Sequence, residues 1–169
     1  MKQFIKSLFG PSTPECTQQA LAFLRVAIGI LTVLHGYPKF MGGQEHWEQL
    51  GMFINALGIY FLPVMWGFLG MAAEFFGGMA LVLGLATRLT SAALTFMMFV
   101  AMMWHITKGD PFMVYSFPLS LVVLFLTFTI IGGGTYSVDA YLTSGRKVRR
   151  PRRKKAAGQG EPSNTETQG

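Results

Sequence analysis

The sequence predicts an all-α fold: an integral membrane four-helix bundle with a short interfacial helix between helices 1 and 2. Composition points there first, because 51% of the 169 residues are hydrophobic and only 13% are charged, about half the charged share that is usual in soluble domains. In addition, four apolar stretches each approach the roughly 20 residues that cross a hydrocarbon core of about 30 Å. At this length a single domain is expected.

The four predicted spans are separated by recognisable turns. They cover residues 19–37, 62–85, 89–106 and 113–131. The short link "ATRLTS" joins the second and third spans, and "TKGDPF" joins the third and fourth through a turn marked by glycine and proline. The first connection is longer, and it contains apolar residues at helical spacing: Trp47, Leu50, Phe53, Ile54 and Leu57. This pattern predicts the short helix at the membrane interface.

The charges divide the chain into three segments and orient it. Residues 1–18 are predicted to be a cytoplasmic N-terminal segment, 19–142 the transmembrane domain, and 143–169 a disordered basic tail. Eight of the fourteen basic residues fall in "RKVRRPRRKK", residues 146–155, which next to a membrane span favours contact with anionic lipid over nucleic acid. Because positive charge marks the inner side, we expect both termini in the cytoplasm of a bacterium, with the domain in its inner membrane.

Glu74 interrupts the second span, where an unpaired ionised carboxylate costs several kcal/mol. Helical spacing places it on one stripe with Gly70 and Gly78, and small residues allow neighbouring helices to approach closely. Arg25 shares a face of the first span with Gly29, and counting depth from the cytoplasmic surface puts its long side chain within reach of Glu74. We therefore expect a buried Arg25–Glu74 pair. Two interpretations stay open: the pair fixes the packing, or Glu74 handles a proton or binds a polar head group.

A second polar group is predicted near the outer face. His35 and His105 each lie about sixteen residues from the start of their helices, so they reach one depth. With Lys39 and Trp104 they form a candidate outer pocket. Three interpretations stay open: polar residues at the interface, a metal site, and a quinone site, which needs hydrogen-bond donors and apolar walls.

Metal ligation is the weakest of these interpretations. Two histidines fall short of the three or four ligands that a protein metal site generally has. The methionine pairs of "TFMMFVAMMWH" are more typical of flexible packing residues than of copper ligands. We therefore expect no metal.

Three stretches resemble the signatures of one family of small membrane proteins, the DoxX family. They are "LRVAIGILTVLHGYPKFMGG", "AAEFFGGMALVLGLATRL" and "TIIGGGTYSVDAYL", in the same order over residues 19–142. The resemblance implies a four-helix membrane fold, and it places recurrent polar positions of the family at Arg25, His35, Lys39, Glu74, Arg88 and Asp139. Family members include a subunit similar to the membrane part of an archaeal thiosulfate:quinone oxidoreductase, and others are linked to membrane oxidoreductase complexes.

The functional expectation that follows is an accessory or quinone-interacting subunit of a membrane oxidoreductase system. Because the chain has one cysteine, Cys16, and no flavin motif, no intrinsic cofactor is expected, and redox work would need a quinone or a partner protein. A transporter or lipid-binding protein, completed by homodimerisation, and a structural scaffold are the alternatives. No nucleophile–base or metal–water set is present, so catalysis is left open. Asp139 is interpreted as a turn and helix cap, close enough to Arg88 for a salt bridge.

Overall fold

The computed structural model describes residues 13–144, which form four long helices and three short helical segments. In chain order these are α1 (Pro14–Met41), α2 (Gly43–Gly51), a 3-10 helix (Met52–Leu57), α3 (Pro63–Leu83), α4 (Thr87–Thr107), α5 (Phe112–Ile131) and α6 (Val138–Ser144). The described part contains no strand. The predicted fold class, including a short helix after the first span, is confirmed. The N-terminal lysines and the basic run 146–155 lie outside the described residues.

α1 is longer at both ends than the predicted span 19–37. It begins five residues earlier because the Thr13 hydroxyl accepts a hydrogen bond from the Cys16 N–H, and Pro14 occupies the first helical position, both of which favour a helix start. At the other end Pro38 lies inside the helix without ending it, and α1 continues to Met41. Proline is tolerated in this way in membrane helices. The extra turns carry Lys39 past the predicted end of the span.

The four long helices are each long and apolar enough to cross a membrane. Large apolar side chains cover their outer surface, among them Phe23 and Leu89, which are 77% and 75% exposed. In water such a surface would be unfavourable, whereas in a bilayer it contacts lipid tails. The chain is therefore a multi-pass membrane protein whose bundle surface contacts lipid.

The helices alternate in direction and so define two ends of the bundle. The tail end holds the start of α1, the α3–α4 turn and the end of α5. The loop end holds the end of α1, α2, the 3-10 helix and the α4–α5 turn. An apolar core lies in the half toward the tail end, formed by Ile28, Leu81, Leu94, Phe125 and Phe128.

The helices pack in sequence around the bundle. α1 lies along α3, α3 along α4, and α4 along α5, while α2 and the 3-10 helix pack on α3 and α4. α1 and α5 make no comparably close backbone approach. Their side chains meet in the core near the tail end, and toward the loop end the space between the two helices is left as a cavity.

Candidate functional site

Glycines set the register between α1 and α3. A Cβ at Gly36 would lie 2.6 Å from the backbone nitrogen of Phe75, and one at Gly29 would lie 2.9 Å from that of Val82. Both helices are thus in backbone contact along the predicted small-residue stripes, as membrane helix pairs often are. In this antiparallel register Lys39 lies level with about residue 72, and Arg25 with about residue 86.

Lys39 is the partner of Glu74. Its Nζ lies 2.5 Å from both carboxylate oxygens. The Glu74 side chain is 6% exposed and that of Lys39 is 25% exposed, so the pair is largely removed from lipid and water. A charge-assisted contact with both oxygens is among the stronger polar interactions available. It explains how an ionisable residue can sit in the middle of an apolar helix.

The prediction that Arg25 pairs with Glu74 is wrong, although both side chains are buried. In the observed register the two residues are about twelve positions apart along the bundle, or on the order of 18 Å. Arg25 instead donates from Nη1 to the Gly133 carbonyl (3.2 Å) and from Nη2 to the Tyr136 carbonyl (2.7 Å). Arg25 therefore binds the loop after α5 to α1 at the tail end.

Asp139 caps α4 from a distant part of the chain. Its two carboxylate oxygens accept hydrogen bonds from the Ala86 N–H (2.7 Å) and the Thr87 N–H (2.8 Å). Burial raises the pKa of Asp139, but hydrogen bonds from Thr87 and Ala86 and the charge of Arg25 outweigh it and hold this pKa below its ordinary value. The interpretation as a helix cap fits, but the capped helix is α4.

The expected salt bridge between Asp139 and Arg88 is not formed in the described structure. Arg88 is exposed and lies beside Gly132, where a Cβ would come within 3.2 Å of its Nε. The backbone N–H groups at the start of α4 occupy the Asp139 oxygens instead. Both residues belong to the tail end, away from the cavity described next.

A cavity of about 360 Å³ lies between α1, α4 and α5, with Glu74 of α3 at its back. Its polar lining is formed by Thr32, His35, Lys39, Glu74 and His105. The remaining walls are apolar and include Ile28, Leu31, Met98, Ala101, Phe117, Pro118, Leu121 and Phe125. A few polar groups in an otherwise apolar hollow are typical of small-molecule sites, which span about 300–1,000 Å³.

The cavity opens toward lipid between α1 and α5. Leu31 on α1 and Phe117 on α5 both line it, yet they are 53% and 56% exposed. His35 beside them is also exposed, and its ring lies 5.9 Å from that of Phe117, centroid to centroid. An apolar ligand could enter sideways from the bilayer without crossing water.

His105 is oriented by a neighbouring carboxylate. Its Nδ1 lies 2.8 Å from Asp110 Oδ2, in the turn that follows α4. If the neutral ring donates its Nδ1–H to Asp110, Nε2 is left as an acceptor. His105 can then accept a hydrogen bond from a ligand hydroxyl in the cavity.

The structure brings three of the four predicted outer-pocket residues together and places the fourth elsewhere. His35, Lys39 and His105 line the cavity, whereas Trp104 does not. The Trp104 ring stacks on Phe53 of the 3-10 helix at 5.0 Å, and Lys108 Nζ lies 5.0 Å from its centroid. Trp104 thus ties the 3-10 helix to α4 at the loop end.

Two features of the site were missed by sequence reasoning. The role of Lys39 as counter-ion depends on the α1–α3 register, which the glycine spacing on both helices could have indicated. The link between His105 and Asp110 spans five residues across a turn and was open to inspection from the sequence. Within residues 13–144 no group of three or more His, Cys, Asp or Glu side chains is placed to hold a metal ion.

Comparison with known protein families gives a match that covers three of the four long helices. The DoxX family model matches residues 20–107, from α1 to the end of α4. No curated protein and no solved structure matches significantly. The match covers just over half of the chain, including Arg25, His35, Lys39, Glu74, Arg88 and His105, and the chain is therefore a member of the DoxX family.

Proposed function

We propose that this protein binds a membrane quinone and serves as the quinone-interacting, accessory subunit of a membrane oxidoreductase system. The observation that carries the proposal is the cavity that opens to lipid between α1 and α5 and carries Lys39, Glu74, His35 and His105 at its polar side. The quinone ring would occupy the cavity. Its isoprenoid tail would leave through the opening into the bilayer.

The polar groups suit both redox forms of a quinone ring. The oxidised ring presents carbonyl oxygens, which need donors, and the Lys39 ammonium is one. The reduced ring presents hydroxyl groups, which need acceptors, and His105 supplies Nε2 when Asp110 holds its Nδ1–H. A site with both kinds of group can retain the ligand in either state.

The apolar walls suit the rest of the molecule. Ile28 of α1 and Phe125 of α5 belong to the apolar core and, together with Leu121 of α5, also line the hollow, so the ring would contact apolar side chains of both helices. The volume falls at the lower end of the range for small-molecule sites, enough for a ring and the first part of a tail. The remainder of the tail stays in lipid, so binding does not change its surroundings.

Electron transfer would be completed by a partner protein within this proposal. The chain's single cysteine precludes an internal dithiol pair, and its sequence contains no flavin motif. Its own residues bind and orient the ring and hold protons near it. We also propose that the loop end faces outward and the tail end faces the cytoplasm, which follows the positive charge near the chain ends.

The experiment is to purify the protein in mild detergent and measure bound quinone per chain by mass spectrometry. Leu31→Trp fills the opening from a lipid-facing position and is expected to reduce bound quinone at least fivefold. Leu34→Trp is the matched control, because Leu34 lies on the same helix, is 62% exposed and does not line the cavity. His105→Ala tests the polar side and is also expected to lose quinone. Equal background quinone in wild type and all variants would refute the proposal and favour a transport or lipid-binding role.

A further inference from the structure

A second, smaller hollow lies on the other side of the Lys39–Glu74 pair. It measures about 60 Å³ and is lined by Lys39 of α1 and by residues of α2, the 3-10 helix, α3 and α4. Both members of the pair line this chamber and the large cavity, so the pair lies between the two. This volume exceeds the roughly 10–15 Å³ that a cavity needs to hold one water molecule, so the chamber is large enough for water.

Trp66 lines the chamber and carries a buried donor without a protein acceptor. The indole N–H of Trp66 is fully buried, and within residues 13–144 no protein acceptor meets it. Leaving such a group unsatisfied is unfavourable, because the buried N–H has lost its hydrogen bonds to water. Of the described side chains that line the chamber, only Lys39, Glu74 and Trp66 are polar. A water molecule is the acceptor that the size and the polar groups of the chamber can accommodate.

We propose that the chamber is a water-binding site that links the Trp66 indole to the Glu74 carboxylate and gives Glu74 a protonic connection apart from the ligand cavity. Water in the chamber accepts from Trp66 and donates to Glu74. When a ligand fills the large cavity, Glu74 keeps this contact, because the chamber is on the opposite side of the pair.

The chemistry is a proton transfer without any redox step. A hydronium ion in the chamber gives its proton to the Glu74 carboxylate, which leaves water and a neutral carboxylic acid, and the Lys39 ammonium loses its counter-charge. The reverse step returns the proton to the chamber. The use of this proton for a quinone rests on the proposed function, whereas the water site itself does not.

Nuclear magnetic resonance can test the water site directly on the full chain in lipid nanodiscs. With ¹⁵N-labelled indoles, the three tryptophans give three N–H signals, which single Trp→Phe variants assign. The Trp66 signal is expected to exchange with water although the group is buried. The Trp47 indole, which donates to the Lys39 carbonyl at 2.8 Å, serves as an internal comparison.

Two matched glycine variants then test whether the water binds in the chamber. A Cβ at Gly70 would lie 2.6 Å from the end of the Met97 side chain, and both residues line the chamber. Gly70→Ala therefore adds a methyl group to the chamber wall and forces Met97 to shift, which is expected to reduce the space for water. We expect Trp66 exchange to fall at least threefold. Gly77→Ala makes the same change on the same helix, where the new methyl meets Thr90 at 3.3 Å and the chamber is not touched.

The proton connection is tested by infrared titration of the Glu74 carboxyl band, assigned with Glu74→Gln. The proposal expects this band to titrate in quinone-loaded and in quinone-free protein alike. A Trp66 indole that does not exchange with water in the wild type, equal effects of both glycine variants, or a Glu74 band that ceases to titrate once the cavity is filled would each overturn the proposal. Absence of bound quinone with normal Trp66 exchange would refute the proposed function alone.

Discussion

Lys39 and Glu74 meet across the α1–α3 interface although they lie 35 residues apart in the chain. Lys39 sits near the end of α1 and Glu74 at the middle of α3, because α1 extends past Pro38 and overlaps the first half of α3. The pair is the common wall of the lipid-open cavity and the small chamber. Among the described residues 13–144, it is the only ion pair that joins two helices.

Replacing one member of this pair should destabilise the bundle. Glu74→Gln leaves the Lys39 ammonium without a counter-charge, and we expect it to lower the free energy of unfolding by about 1–3 kcal/mol, measured by denaturant unfolding in detergent. The double variant Lys39→Met/Glu74→Gln removes both charges and should recover most of the loss. If the double variant is less stable than Glu74→Gln, the pairing is not the source of the effect.

Arg25 should be needed at the tail end and not at the cavity. Its guanidinium donates to two carbonyls, of Gly133 and Tyr136, which a lysine ammonium cannot match in geometry. Arg25→Lys is therefore expected to speed amide hydrogen exchange in residues 132–139 and to leave bound quinone unchanged. Arg88→Lys, at the same end but exposed, is the control and should alter neither. Loss of quinone in Arg25→Lys would contradict the separation of the two regions.

The Asp139 cap should show a defined pH dependence. Asp139→Ala removes both acceptors at the start of α4 and should cost about 0.5–2 kcal/mol near neutral pH. Because the native pKa of Asp139 is held below its ordinary value, the carboxylate stabilises the fold above its unfolded pKa, and this contribution is lost as pH falls through the native pKa.

The free energy of unfolding, measured from pH 7 to pH 3, checks the direction of this pH dependence. The stability difference between wild type and Asp139→Ala should be constant above about pH 5 and shrink below about pH 4. Asp139→Asn keeps one acceptor and carries no titrating group, so its stability advantage over Asp139→Ala should not follow this pH profile. A difference from wild type that grows toward low pH would rule out the capping carboxylate as its cause.

Asp110 should act on the ligand through His105. Asp110→Ala frees Nδ1 of His105, so the ring no longer has one fixed tautomer facing the cavity. We expect bound quinone per chain to fall severalfold, less than in His105→Ala. Lys108→Ala is the control, since Lys108 lies in the same turn but over Trp104. Wild-type quinone content in Asp110→Ala, with loss in His105→Ala, would show that Asp110 does not position the ring.

Much of the fold could be predicted because hydrophobic length is a direct physical signal. The spans of α3, α4 and α5 lie within two residues of the prediction at each end. α1 was predicted too short, because its first turns are polar and Pro38 was taken as a boundary. Neither feature ends a helix when Thr13 caps one end and the membrane environment tolerates an internal proline.

The candidate site was only partly predictable, for a geometric reason. His35, Lys39 and His105 were grouped correctly by depth, since each lies near the same end of its helix. The predicted partner of Glu74 was wrong because depth was counted from the ends of each helix, and helix ends do not fix how two helices are aligned. Contacts between helices depend on register, and here the register follows from where Gly29 and Gly36 let the backbones touch.

Photolabelling tests the central claim, a quinone site open to lipid between α1 and α5, most directly. The full chain in nanodiscs is irradiated with a quinone that carries a photoreactive group on its ring, and the labelled peptides are mapped by mass spectrometry. The account predicts labels concentrated at the opening, around His35 and Phe117, that disappear with excess unlabelled quinone. Labels scattered over the lipid-facing surface, at residues such as Phe23 and Ile130, and insensitive to the competitor would contradict it.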